Sequence, residues 1–518
     1  MRNDPAIKKK SSLVCMKKIV RVCRHWRSVA LNNPLLWCDI YVSLYSKKFI
    51  ETSLSLARGM SLYFSVDYKH PNPDGLQLLA THANRIEGLR MDVASEALSH
   101  RQLDLPSALP LLQLLDITFD SSSAEMARLP SLLTRQSPPS LRSLSVLCFQ
   151  IAWKPGPGHV LPISLTRLSV EYKKSCHTKA KIIDVVEAIG ALPNLMHLEL
   201  VNVLADCQSD DGDPPLAATK MDLRRMRSLT LQEGYKECSY LLSHFILSPV
   251  ADIDLLLTGT PEHPEKYGLP ILIPIIRNFL REEHGWRIRE LVVNFISLEF
   301  RKGRIEAEPT EPSASYADGP RLSIHLVAMR SYYLHSLPVI ALLAGLAPSL
   351  PELRDVLVLT VRQQRDSLHV LRDRWFRVLP ALTGVKTVQA IQCDLYTVRR
   401  FIDRWTERGG DGIEAITEPS TAFLPHVSQM CLQDTVLTTA TWSGEPHRWP
   451  EEFCAALLWR AWAGCGLETI TMDRSIAEVP LEKRWYDLIK SMQQAVTVVR
   501  DGIVYPKESN KDVCMDTA

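Results

Sequence analysis

The chain has 518 residues, 46% of them hydrophobic, with 60 Lys plus Arg against 58 Asp plus Glu. That is the composition of a globular protein, long enough for one large repeat domain or roughly two to four ordinary ones, and it excludes global disorder. The near-zero balance, a formal +2, says nothing about partners; the twelve cysteines, with no CxxC pair, do not form a disulfide framework.

Taken in chain order, the sequence begins with charge. Residues 1–28 hold nine Lys or Arg and one acid, Asp4. Residues 1–18 are read as a solvated, disordered arm rather than a nucleic-acid-binding one. "RVCRHWRSVALNNPLLW" (21–37) follows. On a helical wheel Val22, Cys23, Trp26, Val29 and Ala30 share one face, while Arg21, Arg24 and Arg27 recur elsewhere. Asn32-Asn33-Pro34 ends that helix, because the residue before proline avoids the α region. Leu35, Leu36 and Trp37 continue as an apolar cluster. The next residues predict a short strand at "DIYV", a helix opened by Ser46, and an alternating strand through Leu62, Phe64 and Val66.

From there a triplet recurs: an apolar residue, two others, an apolar residue, one other, an apolar residue. It runs Ile86-Leu89-Met91, Leu112-Leu115-Ile117, Leu141-Leu144-Val146, Leu165-Leu168-Val170, Leu195-Leu198-Leu200 and Met226-Leu229-Leu231. It continues as Val250-Ile253-Leu255, Ile288-Leu291-Val293, Leu353-Val356-Val358, Val385-Val388-Ala390, Val427-Met430-Leu432 and Leu467-Ile470-Met472. Most starts lie 24 to 42 residues apart, and one gap of 65 leaves room for a further unit near "RLSIHLV", 321–327. The last two apolar positions of each triplet are two residues apart, so they face one side of a strand. Neighbouring triplets should pair in parallel, since the spacings allow the crossovers that parallel strands need. Helix-like stretches separate many of them, at 181–192, 239–248, 269–283, 336–347, 367–382 and 450–464. No single unit can bury its apolar face alone, but a stack can. The acidic, proline-containing stretches 205–218 and 302–320 read as mobile surface insertions. The first lacks the closing glutamate and flanking helices of a calcium-binding EF-hand.

Chemistry is harder to find. No GxSxG, GxxxxGK[ST], HExxH or post-strand GxGxxG occurs. The prolines of "KPGPGH" (154–159) remove amide donors that a phosphate cradle needs. Cys176 and His177 are sequence neighbours whose side chains diverge, and Glu282-Glu283 read as solvated charges. The expectation is a non-catalytic binding protein with no metal and no cofactor. Cys148, Cys393 and Cys454 lie in apolar surroundings, as buried thiols do. No Asn-x-Ser/Thr sequon, no apolar run of about 18 residues and no signal-peptide h-region occurs. These point to an intracellular location, cytoplasmic or nuclear, with neither membrane nor nucleic acid as partner.

The triplets resemble irregular, lengthened leucine-rich repeats. They depart from that family three residues past the last apolar position, where its buried asparagine is replaced by Phe149, Lys173, Val203, Gly234 and Thr258 among others. Without that ladder the turns should be looser and coil lengths variable. "VCRHWRSVALNNPLLW" resembles the second half of an F-box, matching it at Val22, Cys23, Arg24, Trp26, Arg27, Val29, Ala30, Pro34, Leu36 and Trp37. F-box followed by irregular repeats is an architecture of fungal, basidiomycete-type F-box proteins. The family's box opens with a Leu-Pro helix and a second apolar helix. "MRNDPAIKKKSSLVCMKKI" has no Leu-Pro start, so the box is read as N-terminally truncated.

The resemblance implies an α/β chain: a curved leucine-rich-repeat-like solenoid over 46–505, a partial F-box over 19–45 and a disordered tail over 506–518. It implies attachment to a Skp-type adaptor and a cullin ubiquitin ligase through Val22, Cys23, Trp26, Val29, Ala30, Pro34, Leu36 and Trp37, with an unidentified protein substrate held by the repeats. The alternative is a repeat scaffold with no ligase attachment. Trp37 should be buried against the first repeat. Trp26 discriminates: exposed if its face serves a partner, buried if it only caps the stack.

Overall fold

A computed structural model describes residues 21–42, 45–67, 73–94, 109–120, 127–128, 138–154, 161–174, 179–205, 220–248, 250–258, 269–280, 286–294, 297–304, 320–327, 343, 346–362, 378–393, 398, 424–433, 449–473, 489–500 and 503–505. The chain is mixed α/β, and among the described residues the strands pair mostly in parallel and the helices are few. It divides into two compact units: residues 1–233 with 244–247, and residues 234–243 with 248–518. The boundary falls within the span expected as one solenoid.

In the first unit, α1 (Arg24–Asn32) and a 3-10 turn (Pro34–Trp37) lead into β1 (Asp39–Tyr41), α2 (Lys47–Leu56) and β2 (Leu62–Asp67). Ser46 is the N-cap of α2, as expected, although its side chain makes no cap hydrogen bond. Then come β3 (Ile86–Ala94), β4 (Leu114–Asp120), β5 (Ser143–Leu147), β6 (Arg167–Glu171), β7 (His197–Val201) and β8 (Ser228–Gly234). Each strand pairs in parallel with the next in this series.

Register turns the triplets into continuous aliphatic ladders. Ile40, Phe64, Leu89 and Leu115 lie side by side and continue through Leu144, Leu168 and Leu198 to Leu229. A second ladder runs from Val66 through Met91, Ile117, Val146, Val170 and Leu200 to Leu231, and no side chain in either is more than 2% exposed. Full burial of one such side chain is worth about 1.5–3 kcal/mol, so these rungs dominate the stabilisation.

The first apolar residue of each triplet closes a turn through its backbone. The N–H of Leu112 donates to the Leu109 carbonyl, Leu141 to Pro138, Leu165 to Pro162, Leu195 to Leu192 and Met226 to Leu223, at 2.9–3.2 Å. The unit is therefore a four-position frame, Leu/Pro-x-x-apolar-x-x-apolar-x-apolar. Successive turns are then tied to one another. The Gln113 carbonyl accepts the N–H groups of Arg142 and Ser143, that of Arg142 accepts Thr166 and Arg167, and that of Thr166 accepts Met196 and His197.

Side chains tie neighbouring turns too. Arg85 donates to the Met60 carbonyl at 2.9 Å, Ser140 to Pro110 at 3.0 Å and Asn194 to Ile163 at 3.3 Å. At the strand exits, Cys148 and Asn202 take left-handed φ values of 61° and 55° and give their N–H to the carbonyls of Glu171 and Gln232. That conformation costs a non-glycine residue about 1–2 kcal/mol. The buried Glu233 carboxylate accepts the N–H groups of Val203 and Leu204. At these turns and strand exits, backbone carbonyls and the Glu233 carboxylate satisfy the N–H groups.

The second unit contains α3 (Tyr235–Ser243), β9 (Asp252–Thr258), α4 (Leu269–Leu280), β10 (Trp286–Asn294), β11 (Ser297–Arg304), β12 (Arg321–Val327), β13 (Val358–Arg362), β14 (Thr387–Ile391), β15 (Gln429–Gln433), α5 (Trp449–Trp462), β16 (Thr469–Asp473), β17 (Thr497–Arg500) and β18 (Ile503–Tyr505). From β10 through β13, β14, β15 and β16 to β17 the pairing is parallel and sequential. The turn frame recurs, with Val356 donating to Leu353, Val385 to Leu382 and Val427 to Leu424. Gly384 is required in one such turn, where a Cβ would stand 1.9 Å from the Arg354 carbonyl oxygen. The left-handed exit recurs at Gln392, and Cys393 Sγ donates to the Val361 carbonyl, 3.4 Å away, three residues past its triplet.

Four expectations are corrected. Register pairs Leu359 and Val361 with Leu291 and Val293, so the triplet there is Val356-Leu359-Val361, and Leu353 is its turn residue. Val250 is 42% exposed; Ala251, fully buried and bonded to the Ser248 carbonyl, takes the anchor position instead. The stretch 239–248 is not one helix: α3 ends at Ser243, and Phe245–Leu247 is a strand paired with Met221–Leu223 in the first unit. The insertion expected over 302–320 begins with the end of β11, where Lys302 is fully buried with its Nζ 4.7 Å from the Phe279 ring centre.

The expected further unit at 321–327 is β12, with Leu322 and Ile324 buried, parallel to β9. Between β12 and β10 lies β11, antiparallel to both, so the parallel run is interrupted there. Residues 1–18, 206–218, 305–319 and 506–518, and most of the stretches 336–347 and 367–382, lie outside the described residues.

Candidate functional site

Two surfaces of the first unit and one of the second gather side chains that chemistry can use. The first surface is α1. Cys23 is its N-cap, with Sγ accepting the Trp26 N–H at 3.5 Å, a weak cap. At its other end the Asn33 side chain accepts the Leu35 N–H, starting the Pro34–Trp37 turn. Trp37 is 6% exposed, donates Nε1–H to the Ala30 carbonyl at 2.8 Å and lies 6.5 Å from the Phe49 ring. The helix is thus pinned at its C-terminal end.

The eight residues assigned to this face divide. Ala30 and Trp37 are buried by the chain itself and present nothing outward. Val22, Trp26 and Val29 are 67%, 52% and 46% exposed, Cys23 and Leu36 are exposed and Pro34 is half-buried. Leu35 (67% exposed) and Leu31 join this apolar surface. The sequence reading placed Leu35 in an apolar cluster but assigned neither it nor Leu31 to this face, because neither is a motif position; the signal available was the 3-10 turn that proline and asparagine encode.

The second surface is the outward side of β1–β4, opposite the aliphatic ladders. Register aligns Asp39, Tyr63, Gly88 and Leu114 in one row, then Tyr41, Ser65, Arg90 and Asp116, then Asp67, Asp92 and Thr118. A bulge between Leu62 and Tyr63 leaves Glu87 as the extra residue and sets Tyr63 opposite Gly88. A Cβ on Gly88 would stand 2.3 Å from Tyr63 Cδ1, so the phenol ring lies across the glycine. Arg90 Nε is 3.6 Å from Asp92 and 3.8 Å from Asp116. Burial holds the Asp92 carboxyl above its usual pKa, Asp116 and Asp67 push the same way, and Arg90 opposes them. Burial, with Glu87 nearby, likewise raises the Tyr63 phenol.

The third surface lies in the second unit, on the outward side of β10, β11, β13 and β14. Arg301 donates to Glu299 at 2.7 Å and to Glu290 at 3.0 Å, and the Thr360 hydroxyl donates to the other Glu290 oxygen at 2.7 Å. Gln389 is 3.2 Å from the same hydroxyl. Glu290 and Thr360 are buried, so this is a satisfied internal network rather than an acid–base pair awaiting substrate.

Among the described residues no group of three His, Cys, Asp or Glu side chains could hold a metal ion. No helix among them is long and apolar enough to cross a membrane. No family model matches the chain, and no curated protein matches its sequence.

Proposed function

We propose that this chain is the substrate-recognition subunit of a Skp–cullin–F-box-type ubiquitin ligase, and that its repeats form a curved solenoid of irregular leucine-rich type. The observation that carries the ligase reading is the exposure of Trp26 and Val29 on α1, while Trp37 in the following 3-10 turn is buried; Val22, expected on the same helix face, precedes the extended N-cap Cys23 and lies outside α1. A core tryptophan would be covered; one presented among aliphatics marks a partner surface. The repeat reading is supported by sequential parallel pairing from β1 to β8 and from β13 to β17, and by the recurring turn frame. In this role the chain supplies binding surfaces and the recruited subunits supply the chemistry. The burial of Cys38, Cys148, Cys238, Cys393 and Cys454 fits the reading of a reducing intracellular compartment.

Co-purification with a Skp-type adaptor tests the proposal. Trp26→Ala should abolish capture while leaving the melting temperature nearly unchanged, because the ring is half exposed. Loss of about 3–5 kcal/mol of stability, the usual cost of removing a core aromatic, with no capture by the parent chain, overturns it. A scaffold without ligase attachment is the second reading, favoured by the confinement of box-like residues to 22–37.

A further inference from the structure

The outward face of β1–β4 carries an arrangement that the fold itself does not require. Asp67 and Asp92 are direct register partners on adjacent parallel strands. Such strands run about 4.8 Å apart, and like charges directly across a ladder are destabilising. Asp116 adds a third carboxylate one strand further on, and Asp39 a fourth at the β1 end. Arg90 is the one cation on the described outward positions of these strands, and it stands 3.6 and 3.8 Å from its two carboxylates.

Beside the carboxylates lies an apolar shelf. The Tyr63 ring rests across Gly88, where the absence of a Cβ opens room for it, and Leu114, next in the same row, is 41% exposed. An aromatic face and an exposed aliphatic, bordered by four aspartates and one arginine, complement a long side chain with an apolar stem and a cationic head. The stem would lie along Tyr63 and Leu114, while the head meets the ring face and the carboxylates.

We propose that this shelf docks a lysine- or arginine-bearing segment of the target protein, with Tyr63, Gly88 and Leu114 seating the side chain and Asp92 and Asp116 binding its charge. The inference rests on the reading of the repeats as the target-binding part of the chain. It names the class of target that reading leaves open.

The experiment uses the full chain and short fluorescent alanine-based peptides carrying lysine, arginine, glutamine or glutamate, with anisotropy as readout. Lysine and arginine peptides should bind, and the glutamine peptide about tenfold more weakly or not at all. Asp92→Asn with Asp116→Asn should weaken cationic binding by about tenfold or more. Gly88→Ala must displace the Tyr63 ring without changing any charge, and should weaken binding about threefold to tenfold. Tyr63→Leu removes the ring without crowding the backbone and serves if Gly88→Ala fails to fold.

Equal binding of cationic and glutamine peptides overturns the proposal. So does full-strength cationic binding by both ring variants with melting temperatures unchanged, since that is charge attraction without a shelf. Adaptor capture is scored on the same preparations. Capture without peptide selectivity defeats only the shelf, and peptide selectivity without capture defeats only the ligase reading.

Discussion

The two units use one frame to present unlike surfaces. In both, an apolar residue closes a Leu/Pro-x-x-apolar turn, the next two apolar residues become rungs, and one carbonyl per turn receives two N–H groups from the following turn. Outward, the first unit shows tyrosines and charge at β1–β4. The second encloses Glu290, Arg301 and Thr360 in a satisfied network, and continues across β14–β16 as Gln389, Cys431 and Thr471. The inward rows determine folding and the outward rows are left to vary. A strand's alternation is what allows one sequence to carry two independent messages.

If that separation is real, the inward rungs of both units should respond alike. Leu144→Ala in the first and Leu359→Ala in the second, each at most 1% exposed, should each cost about 2–5 kcal/mol in denaturant unfolding. A much smaller loss at Leu359 would return the register there to the one read from sequence. The outward network should cost less. Glu290→Gln keeps the shape but weakens the bond to Arg301, which retains Glu299, and should lose about 1–3 kcal/mol.

The smallest effect is expected at Asp92, with opposite sign. Its carboxyl is held above its ordinary pKa by burial, so the folded chain binds the proton more tightly than the unfolded one. Stability from this group therefore falls as pH rises through the window between the ordinary aspartate pKa and the raised folded one, and at neutral pH the charge is a net cost. Asp92→Asn should raise the melting temperature by less than about 2 °C at neutral pH, given its partial exposure, and by nothing well below the window. The same substitution is expected to weaken cationic peptide binding. A variant that is more stable yet binds less would separate the two rows cleanly.

Much of this was legible in the sequence. The aliphatic rungs and most of their parallel pairing follow from spacing, because period-two burial leaves a direct trace in residue type; the neighbouring triplets on β9 and β10, expected to pair, are instead separated by β12 and β11. The register at 353–361 did not, since Leu353 satisfies the triplet pattern as well as Val356 does and only the turn hydrogen bond distinguishes them. β11 was hidden by Lys302, a charged residue at an inward position, whose ammonium is accommodated over Phe279. At α1 the motif located the helix but not which residues face outward: Ala30 and Val29 are sequence neighbours with opposite fates. The Tyr63–Gly88 shelf joins residues 25 apart through a one-residue bulge, and no local pattern encodes a bulge.

The bonding between successive turns bears on how such a chain could change length. The Arg142 carbonyl receives Thr166 and Arg167 just as the Gln113 carbonyl receives Arg142 and Ser143. These turns thus offer their successors the same backbone acceptor, whatever side chains they carry. Joining residue 141 to residue 166 would delete one strand with its crossover and still deliver Thr166 and Arg167 to the Gln113 carbonyl. Loop-closure entropy rises by only about 0.6 kcal/mol for each doubling of a connection, so crossovers can lengthen at little penalty. The uneven spacing of the triplets lies in the crossovers between strands, which bonding between the turns leaves free to differ in length.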